Sequence, residues 1–239
     1  MKREDAIVPI AQDTTESRVV TQLLADRYSC RGFRSDPVPH EVIERILTIS
    51  QLTASWCNSQ PWQVVITEGE GTERFRKALY GHAASSTSPE SRSDFPYPEY
   101  SGVYKQRRRD VAWQLYESVG IAMGDRAASG KQTLENFRFF GAPHVAIITS
   151  DRDLGVYGAV DCGGYVANFL TVAQSFGLST IPQAALAHHS DFVRDYFKLP
   201  EDRRVVCGIS FGYGDHKQAA NSFRSLRVPL GDVVTWVNE

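Results

Sequence analysis

The sequence contains no run of about 18 apolar residues, the length that a membrane-spanning helix requires. Its N-terminus, Met1-Lys2-Arg3-Glu4-Asp5, mixes charges and is not followed by an apolar segment of signal-peptide length. A formal net charge of −2 over 239 residues gives no electrostatic attraction to nucleic acid or to an anionic membrane. These absences predict a cytoplasmic protein of one domain, residues 1–239.

The common motifs for metals and nucleotides are also missing. Cys30, Cys57, Cys162 and Cys207 are scattered, without a CxxC pair or a Cys/His cluster, and this predicts buried reduced thiols and no metal site. The segment Gly212-Tyr213-Gly214 lacks the third glycine of a dinucleotide fingerprint. There is no P-loop and no HExxH, so these conventional sites are excluded.

Two local clusters have ordinary structural interpretations. The basic run Lys105-Gln106-Arg107-Arg108-Arg109 indicates a solvated helix face more than a nucleic-acid patch, because nothing else in the chain is strongly basic. The pair His188-His189 indicates the start of a helix, because adjacent helical residues point in different directions and cannot share a metal ion.

Hydrophobic periodicity predicts helices interspersed with strands, and hence an α/β or α+β sandwich with one central sheet. The helix over 159–176 is rich in small residues, which suits either a subunit interface or a core position. Helices are predicted at 15–26, from Pro39 onward, around Phe75–Tyr80, and at 103–128, 159–176 and 191–197; strands at 62–67, 145–149, 179–185 and 205–211; and a final strand or short helical turn at 233–237.

Residues 82–102 differ from the rest in composition. Small polar residues and prolines alternate here with aromatic side chains, including Phe95, Tyr97 and Tyr100. A loop of this length in a compact domain is either disordered or functional. The aromatic residues favour an ordered cover, so we expect an excursion that acts as a lid over a binding site.

Two short motifs contain the polar groups that suit ligand binding. Arg27-Tyr28-Ser29-Cys30-Arg31 offers two guanidinium groups and a hydroxyl, which suit a phosphate. The turn Ser55-Trp56-Cys57-Asn58-Ser59-Gln60-Pro61-Trp62 offers two amides, which match the alternating donors and acceptors of the uracil-like edge of a flavin. Together they fit the two ends of a single ligand, FMN.

The two motifs resemble those of the FMN-dependent nitroreductase family, with Ala54 where that family often has proline. The resemblance continues in Gly177-Leu178-Ser179-Thr180-Ile181-Pro182-Gln183 and in Arg227-Val228-Pro229-Leu230, and covers roughly residues 15–237. It implies an α+β fold with a central mixed, mostly antiparallel sheet flanked by helices, in an intertwined homodimer with FMN at the subunit interface.

The resemblance also implies roles for individual residues. The first motif would hold the phosphate, ribityl and pyrimidine groups of FMN, Asn58 with Gln60 would bind the isoalloxazine edge, and Arg227 would contact the phosphate. An N–H of Ala184 or Ala185 would lie near flavin N5. Ser225 stands where the family often has lysine, and Arg224 could replace that charge. The implied cofactor residues are Arg27, Tyr28, Ser29, Arg31, Asn58, Gln60, Pro182, Gln183, Ala184, Ala185 and Arg227.

The implied reaction moves hydride from NADH or NADPH through flavin N5 to a nitroaromatic or quinone acceptor in a ping-pong cycle. FMN carries the chemistry, so no catalytic side chain is expected. A planar substrate could be sandwiched by the aromatic residues Trp56, Tyr97, Tyr100 and Tyr104. The alternatives are a flavin-dependent dehalogenase or flavin-fragmenting enzyme of the same fold, and a non-enzymatic FMN-binding or storage protein.

Overall fold

The computed structural model describes residues 14–85, 93–96 and 98–238. These residues form one layer of sheet between helical layers. The strands are β1 (Gln63–Thr67), β2 (His144–Asp151), β3 (Ser179–Gln183) and β4 (Arg203–Gly212). The helices are α1 (Thr15–Asp26), α2 (His40–Ser50), α3 (Gly69–Ser85), α4 (Gly102–Ser118), α5 (Arg126–Leu134), α6 (Gly155–Ser175), α7 (Ala184–Ala187) and α8 (Ser190–Phe197).

The four strands pair antiparallel in the order β1-β2-β4-β3, so β1 and β3 are the two edges. A bulge between Ile148 and Thr149 shifts the register of β2 against β4. Beyond the β3 edge, Ser29 forms a parallel bridge with Thr180. The predicted central, mostly antiparallel sheet flanked by helices is confirmed.

Strand alternation divides the core into two clusters, one on each face of the sheet. Val145 and Ile147 of β2 face a cluster built with α3, α8 and the 3₁₀ segment Glu135–Gly141. Ala146 and Ile148 face the other cluster, built with α2 and α6. Both faces of β2 are therefore covered, which explains its continuous apolar sequence.

Three predictions about the elements need correction. The single helix predicted over 103–128 ends at Ser118, because Gly120 (φ 72°) and Gly124 (φ 85°) adopt the left-handed backbone that interrupts a helix, and α5 begins only at Arg126. No strand or helical turn forms at 233–237; a 3₁₀ turn lies earlier, at Leu230–Asp232. The helix predicted around Phe75 is longer than expected, extending over Gly69–Ser85.

The excursion predicted at 82–102 begins later than expected, because α3 continues to Ser85. Residues 86–92 and Tyr97 lie outside the described part of the chain. Asp94 fixes the segment to the body: its carboxylate accepts hydrogen bonds from Arg194 Nη1 at 2.6 Å and from the Val205 N–H at 2.8 Å. The Asp94 N–H donates to Ser190 Oγ at 3.2 Å. A lid role for this segment stays a prediction.

None of the helices in the described ranges is long and apolar enough to cross a membrane.

Replacing Asp94 with alanine should lower the free energy of unfolding by about 2 kcal/mol, because it removes the acceptor of two part-buried hydrogen bonds and leaves the Arg194 guanidinium with Asp191 as its remaining described carboxylate. Both side chains of this ion pair are only 15% exposed. Urea unfolding measures the change. Asp36→Ala, which breaks an exposed ion pair with Arg34, is the matched control and should leave stability unchanged. Equal effects of the two substitutions would contradict the anchoring role.

His144 is a buried histidine whose hydrogen bonds require the neutral ring. Its Nε2 accepts from the Val38 N–H at 2.9 Å, and its Nδ1 lies 3.2 Å from the Thr67 carbonyl, so Nδ1 carries the proton. Burial lowers the pKa of His144. Protonation of Nε2 would remove the acceptor for Val38 and place a charge inside the core.

The folded protein therefore binds a proton at His144 less readily than the unfolded chain does. We expect the free energy of unfolding to decrease as pH falls below about 6.5, by at most about 1.4 kcal/mol per pH unit for this residue. The pKa values of His188 and His189 are also lowered by burial, so His144→Gln should reduce the pH dependence without abolishing it. Urea unfolding at pH 5 to 7.5 tests this; an unchanged pH dependence would contradict it.

Candidate functional site

The Arg27–Arg31 motif runs along the β3 edge of the sheet. α1 ends at Asp26, and Arg27 follows in an extended conformation that leads into the bridge between Ser29 and Thr180. Arg31 Nη1 donates to the Ser29 carbonyl at 3.2 Å. The extended backbone thus presents consecutive side chains of the motif beside the sheet edge.

Asn221 attaches this motif to the C-terminal part of the chain. Its Oδ1 accepts from the Arg31 N–H at 2.6 Å, and its Nδ2 donates to the carbonyls of Gly32 at 2.9 Å and Asp215 at 2.8 Å. Gly32 allows this close approach, since a Cβ there would lie 2.4 Å from Gln218 Cγ. No local sequence pattern indicated Asn221, which lies 190 positions from Arg31.

Two further arginines come to the motif from the segment after Asn221. The Arg224 guanidinium lies 3.7 Å from the centre of the Tyr28 ring, and its Nη1 donates to the Asn221 carbonyl at 2.8 Å. Arg227 Nη1 donates to Ser225 Oγ at 2.9 Å. Arg224 therefore supplies a positive charge next to the motif, while Ser225, where the family often has lysine, orients Arg227.

Arg27, Arg31, Arg224 and Arg227 form what we call the arginine cluster. Burial lowers the pKa of Arg31, and burial together with the charge of Arg227 lowers the pKa of Arg27. Among residues 14–85, 93–96 and 98–238, no carboxylate forms an ion pair with any member of the cluster. Neighbouring cations without a counter-charge repel one another, and an anion such as a phosphate group would relieve that repulsion.

The amide-bearing turn has a strained and firmly held backbone. Cys57 (φ 50°), Asn58 (φ 57°) and Gln60 (φ 47°) all occupy the left-handed region, which non-glycine residues rarely adopt. Gln60 Nε2 donates to Asn58 Oδ1 at 3.1 Å, and Gln51 Nε2 donates to Gln60 Oε1 at 3.0 Å. Both predicted flavin-edge amides are exposed at the surface, with Gln60 aligned by Gln51.

Two residues that sequence reasoning missed hold this turn in place. The Asp161 carboxylate of α6 accepts from the Trp56 N–H at 3.1 Å and from Ser59 Oγ at 3.3 Å. Arg203, buried and without a carboxylate partner among the described residues, donates through Nη2 to the Pro61 carbonyl at 2.9 Å. Burial lowers the pKa of Arg203. These contacts are more than 40 positions apart in sequence, so no local pattern could reveal them.

The two motifs lie at opposite corners of the sheet. Gln63, which follows the turn, pairs with Thr149, and Thr149 pairs with Val205 near the start of β4. Ser29 bridges Thr180, which pairs with Phe211 near the end of β4. Strand spacing and the rise per residue place Gln63 and Ser29 roughly 25 Å apart. One chain therefore does not bring the two halves of the predicted site together.

The predicted flavin-ring segment forms the corner between β3 and α7. Pro182 and Ala184 are exposed and Ala185 is half-buried. The Gln183 side chain is buried instead: Nε2 donates to the Asn136 carbonyl at 3.0 Å, and Oε1 accepts from Ser210 Oγ at 2.5 Å. The buried Gln183 side chain thus fixes the corner between β3 and α7, and only the backbone of Gln183 is available to a ligand.

The predicted substrate aromatics separate into two groups. Trp56 is exposed and meets Tyr157 of α6 edge-on, with ring centroids 4.3 Å apart. Tyr100 and Tyr104 lie at the start of α4, each beneath an arginine side chain. Tyr97 lies outside the described residues. The structure does not bring Trp56 together with the two tyrosines through any described contact.

Comparison with known proteins agrees with these features. The model of the Nitroreductase family matches residues 24–213. Nitroreductase NfnB of Mycolicibacterium smegmatis is 32% identical over 228 residues, covering 94% of this chain and 95% of the relative. Chloronitrobenzene nitroreductase of Comamonas testosteroni is 33% identical over 226 residues, covering 93% and 99%.

A solved structure gives the same result for the fold. The crystal structure of the FMN-dependent nitroreductase NfnB from Mycobacterium smegmatis in complex with NADPH has a TM-score of 0.88 and 31% identity, covering 93% of this chain and 100% of that one. The fold and the two motifs define an oxidoreductase of the flavin-dependent class. The chain belongs to the Nitroreductase family.

Replacing both Arg27 and Arg227 with alanine should weaken FMN binding by at least about tenfold but riboflavin binding by less than about threefold, because riboflavin lacks the phosphate. Titration of the apoprotein with each flavin, followed by quenching of flavin fluorescence, measures both affinities. Arg34→Ala is the control, since Arg34 is exposed and paired with Asp36 at 2.8 Å. Equal weakening for the two flavins would show that the cluster does not serve the phosphate.

Proposed function

We propose that this chain is an FMN-dependent nitroreductase that uses NADPH to reduce nitroaromatic compounds such as chloronitrobenzenes. The arginine cluster carries the proposal, because four guanidinium groups without a described carboxylate partner occur where the family's phosphate motif falls. The named relatives support the substrate class and the nucleotide.

The residues of the chain fit FMN in their chemistry. Arg27 and Arg227 would hold the phosphate, and the amides of Asn58 and Gln60 would bind the flavin edge. The corner at Ala184 and Ala185 would present backbone N–H groups to the ring. When bound, FMN supplies the transfer of reducing equivalents from nucleotide to acceptor; the protein binds, orients and shields the reactants.

We also propose that the chain works as a homodimer and that each flavin site is built from both subunits. The distance between the two motifs supports this, because a second copy related by two-fold symmetry can place its turn beside the arginine cluster. Exposed apolar side chains that such a contact could cover occur on α1, α6 and the C-terminal segment: Val19, Val20, Leu24, Val156, Tyr157, Val160, Leu230, Trp236 and Val237.

The cysteines support the cytoplasmic location that we propose. All four are free thiols, but Cys57 is exposed, which corrects the prediction that all of them are buried. Burial raises the pKa of Cys162 to about 11 and that of Cys207 to about 12. An exposed thiol such as that of Cys57 persists in the reduced form in a reducing compartment, whereas oxidising compartments favour disulfides.

Purified protein should show a bound-flavin spectrum that bleaches on anaerobic addition of NADPH and returns when a chloronitrobenzene is added. The physical reason is that both reactants use the same exposed flavin face in turn. Stopped-flow absorbance near the flavin maximum measures each step separately. Bleaching without return would favour a different acceptor. Flavin that binds but is not reduced by NADPH or NADH would contradict the proposed function and favour an FMN-storage protein.

A further inference from the structure

α4 has two halves with different surroundings. Its C-terminal half contributes half-buried side chains, including Ala112 and Leu115, and the helix packs against the 3₁₀ turn Ala219–Asn221. Its N-terminal half, residues 102–110, is exposed at every position. The first two turns of α4 are therefore accessible to a ligand in the described protein.

The basic residues of the exposed half are not distributed evenly around the helix. At 100° per residue, Lys105 and Arg108 continue the stripe that contains Ala112 and Leu115, and Arg109 lies beside them. We call Lys105, Arg108 and Arg109 the α4 basic stripe. Arg107 points to the opposite side. Lys105, Arg108 and Arg109 thus concentrate positive charge on one side of the exposed half of the helix.

The charges of the α4 basic stripe are not compensated by described carboxylates. The nearby Asp110 carboxylate accepts from Gln106 Nε2 at 2.6 Å, and no ion pair within the described ranges involves the stripe. The Arg108 guanidinium lies 5.5 Å from the centre of the Tyr100 ring. Stacking on an aromatic ring restricts the orientation of a guanidinium group, while its N–H donors remain available to an anion.

The α4 basic stripe is also connected to the cofactor site. The turn against which α4 packs contains Asn221, and Asn221 binds the backbone N–H of Arg31 at 2.6 Å. The protein thus has two separate cationic groups on one supporting segment. FMN carries a single phosphate, and the arginine cluster suffices to bind it. The α4 basic stripe therefore remains available for another phosphorylated reactant.

We propose that the α4 basic stripe binds the 2′-phosphate on the adenosine part of NADPH and thereby makes the enzyme prefer NADPH to NADH. The proposal rests on the function proposed above, since it concerns the nucleotide of that reaction. A 2′-phosphate adds two negative charges and three acceptor oxygens that NADH lacks, and Arg and Lys donors recognise such a group.

The test uses the oxidised FMN-bound enzyme and two adenosine fragments, 2′,5′-ADP and 5′-AMP, titrated by calorimetry. The variant is Lys105→Ala with Arg108→Ala, and the matched control is Arg107→Ala, which removes a charge from the same exposed turn on the opposite side. We expect the double substitution to weaken 2′,5′-ADP binding by about tenfold, with little effect on 5′-AMP and little effect of the control.

Steady-state kinetics then separates this inference from the proposed function. kcat/KM for NADPH should decrease about tenfold in the double variant, while kcat/KM for NADH changes less than about twofold. Equal losses for the two nucleotides, unchanged 2′,5′-ADP binding, or an equal effect of Arg107→Ala would overturn the inference and leave the nitroreductase function intact. A wild-type enzyme that neither nucleotide reduces would instead overturn the proposed function, whereas 2′,5′-ADP binding would still decide the role of the stripe.

Discussion

The antiparallel sheet sets the main constraint on this protein, because it separates the two motifs that we propose bind FMN. Pairing through β2 and β4 places the turn before β1 at one corner and the Arg27–Arg31 motif at the diagonally opposite one. The rest of the structure is consistent with a site completed by a second chain. Each motif is held rigidly in its own corner, and apolar side chains on α1 and α6 are left exposed beside them.

Rigidity at each corner comes from four polar side chains, three of which are buried. Asn221 fixes the Arg31 backbone, Arg203 and Asp161 fix the strained turn, and Gln183 fixes the corner before α7. Buried groups of this kind are costly unless all their hydrogen bonds are made, and when satisfied they specify a single arrangement. The exposed residues Asn58, Gln60 and Ala184 thereby gain defined positions while their side chains remain at the surface.

Sequence reasoning predicted most of the elements and the family, because hydrophobic periodicity and two local motifs are properties of neighbouring residues. The predicted helix at 15–26 agrees with α1 at both ends. The break after Ser118 was missed, because Gly120 and Gly124 terminate a helix only when their φ is positive, which apolar spacing does not reveal. Asn221, Asp161 and Arg203 were missed because their partners are distant in sequence. That the two motifs bind the two ends of one ligand stays a prediction, and their separation within one chain was not visible from the sequence.

The most direct test of the two-chain site uses two variants, Arg31→Ala and Asn58→Ala, each damaging a different half. Co-expression with two affinity tags and sequential purification isolates dimers that contain one copy of each. In such a dimer both damaged halves meet in one site, and the other site is intact, so bound FMN should reach about half of the wild-type occupancy while each variant alone loses its flavin. Mixed dimers as empty as the single variants, or single variants that keep their FMN, would contradict a site shared between subunits.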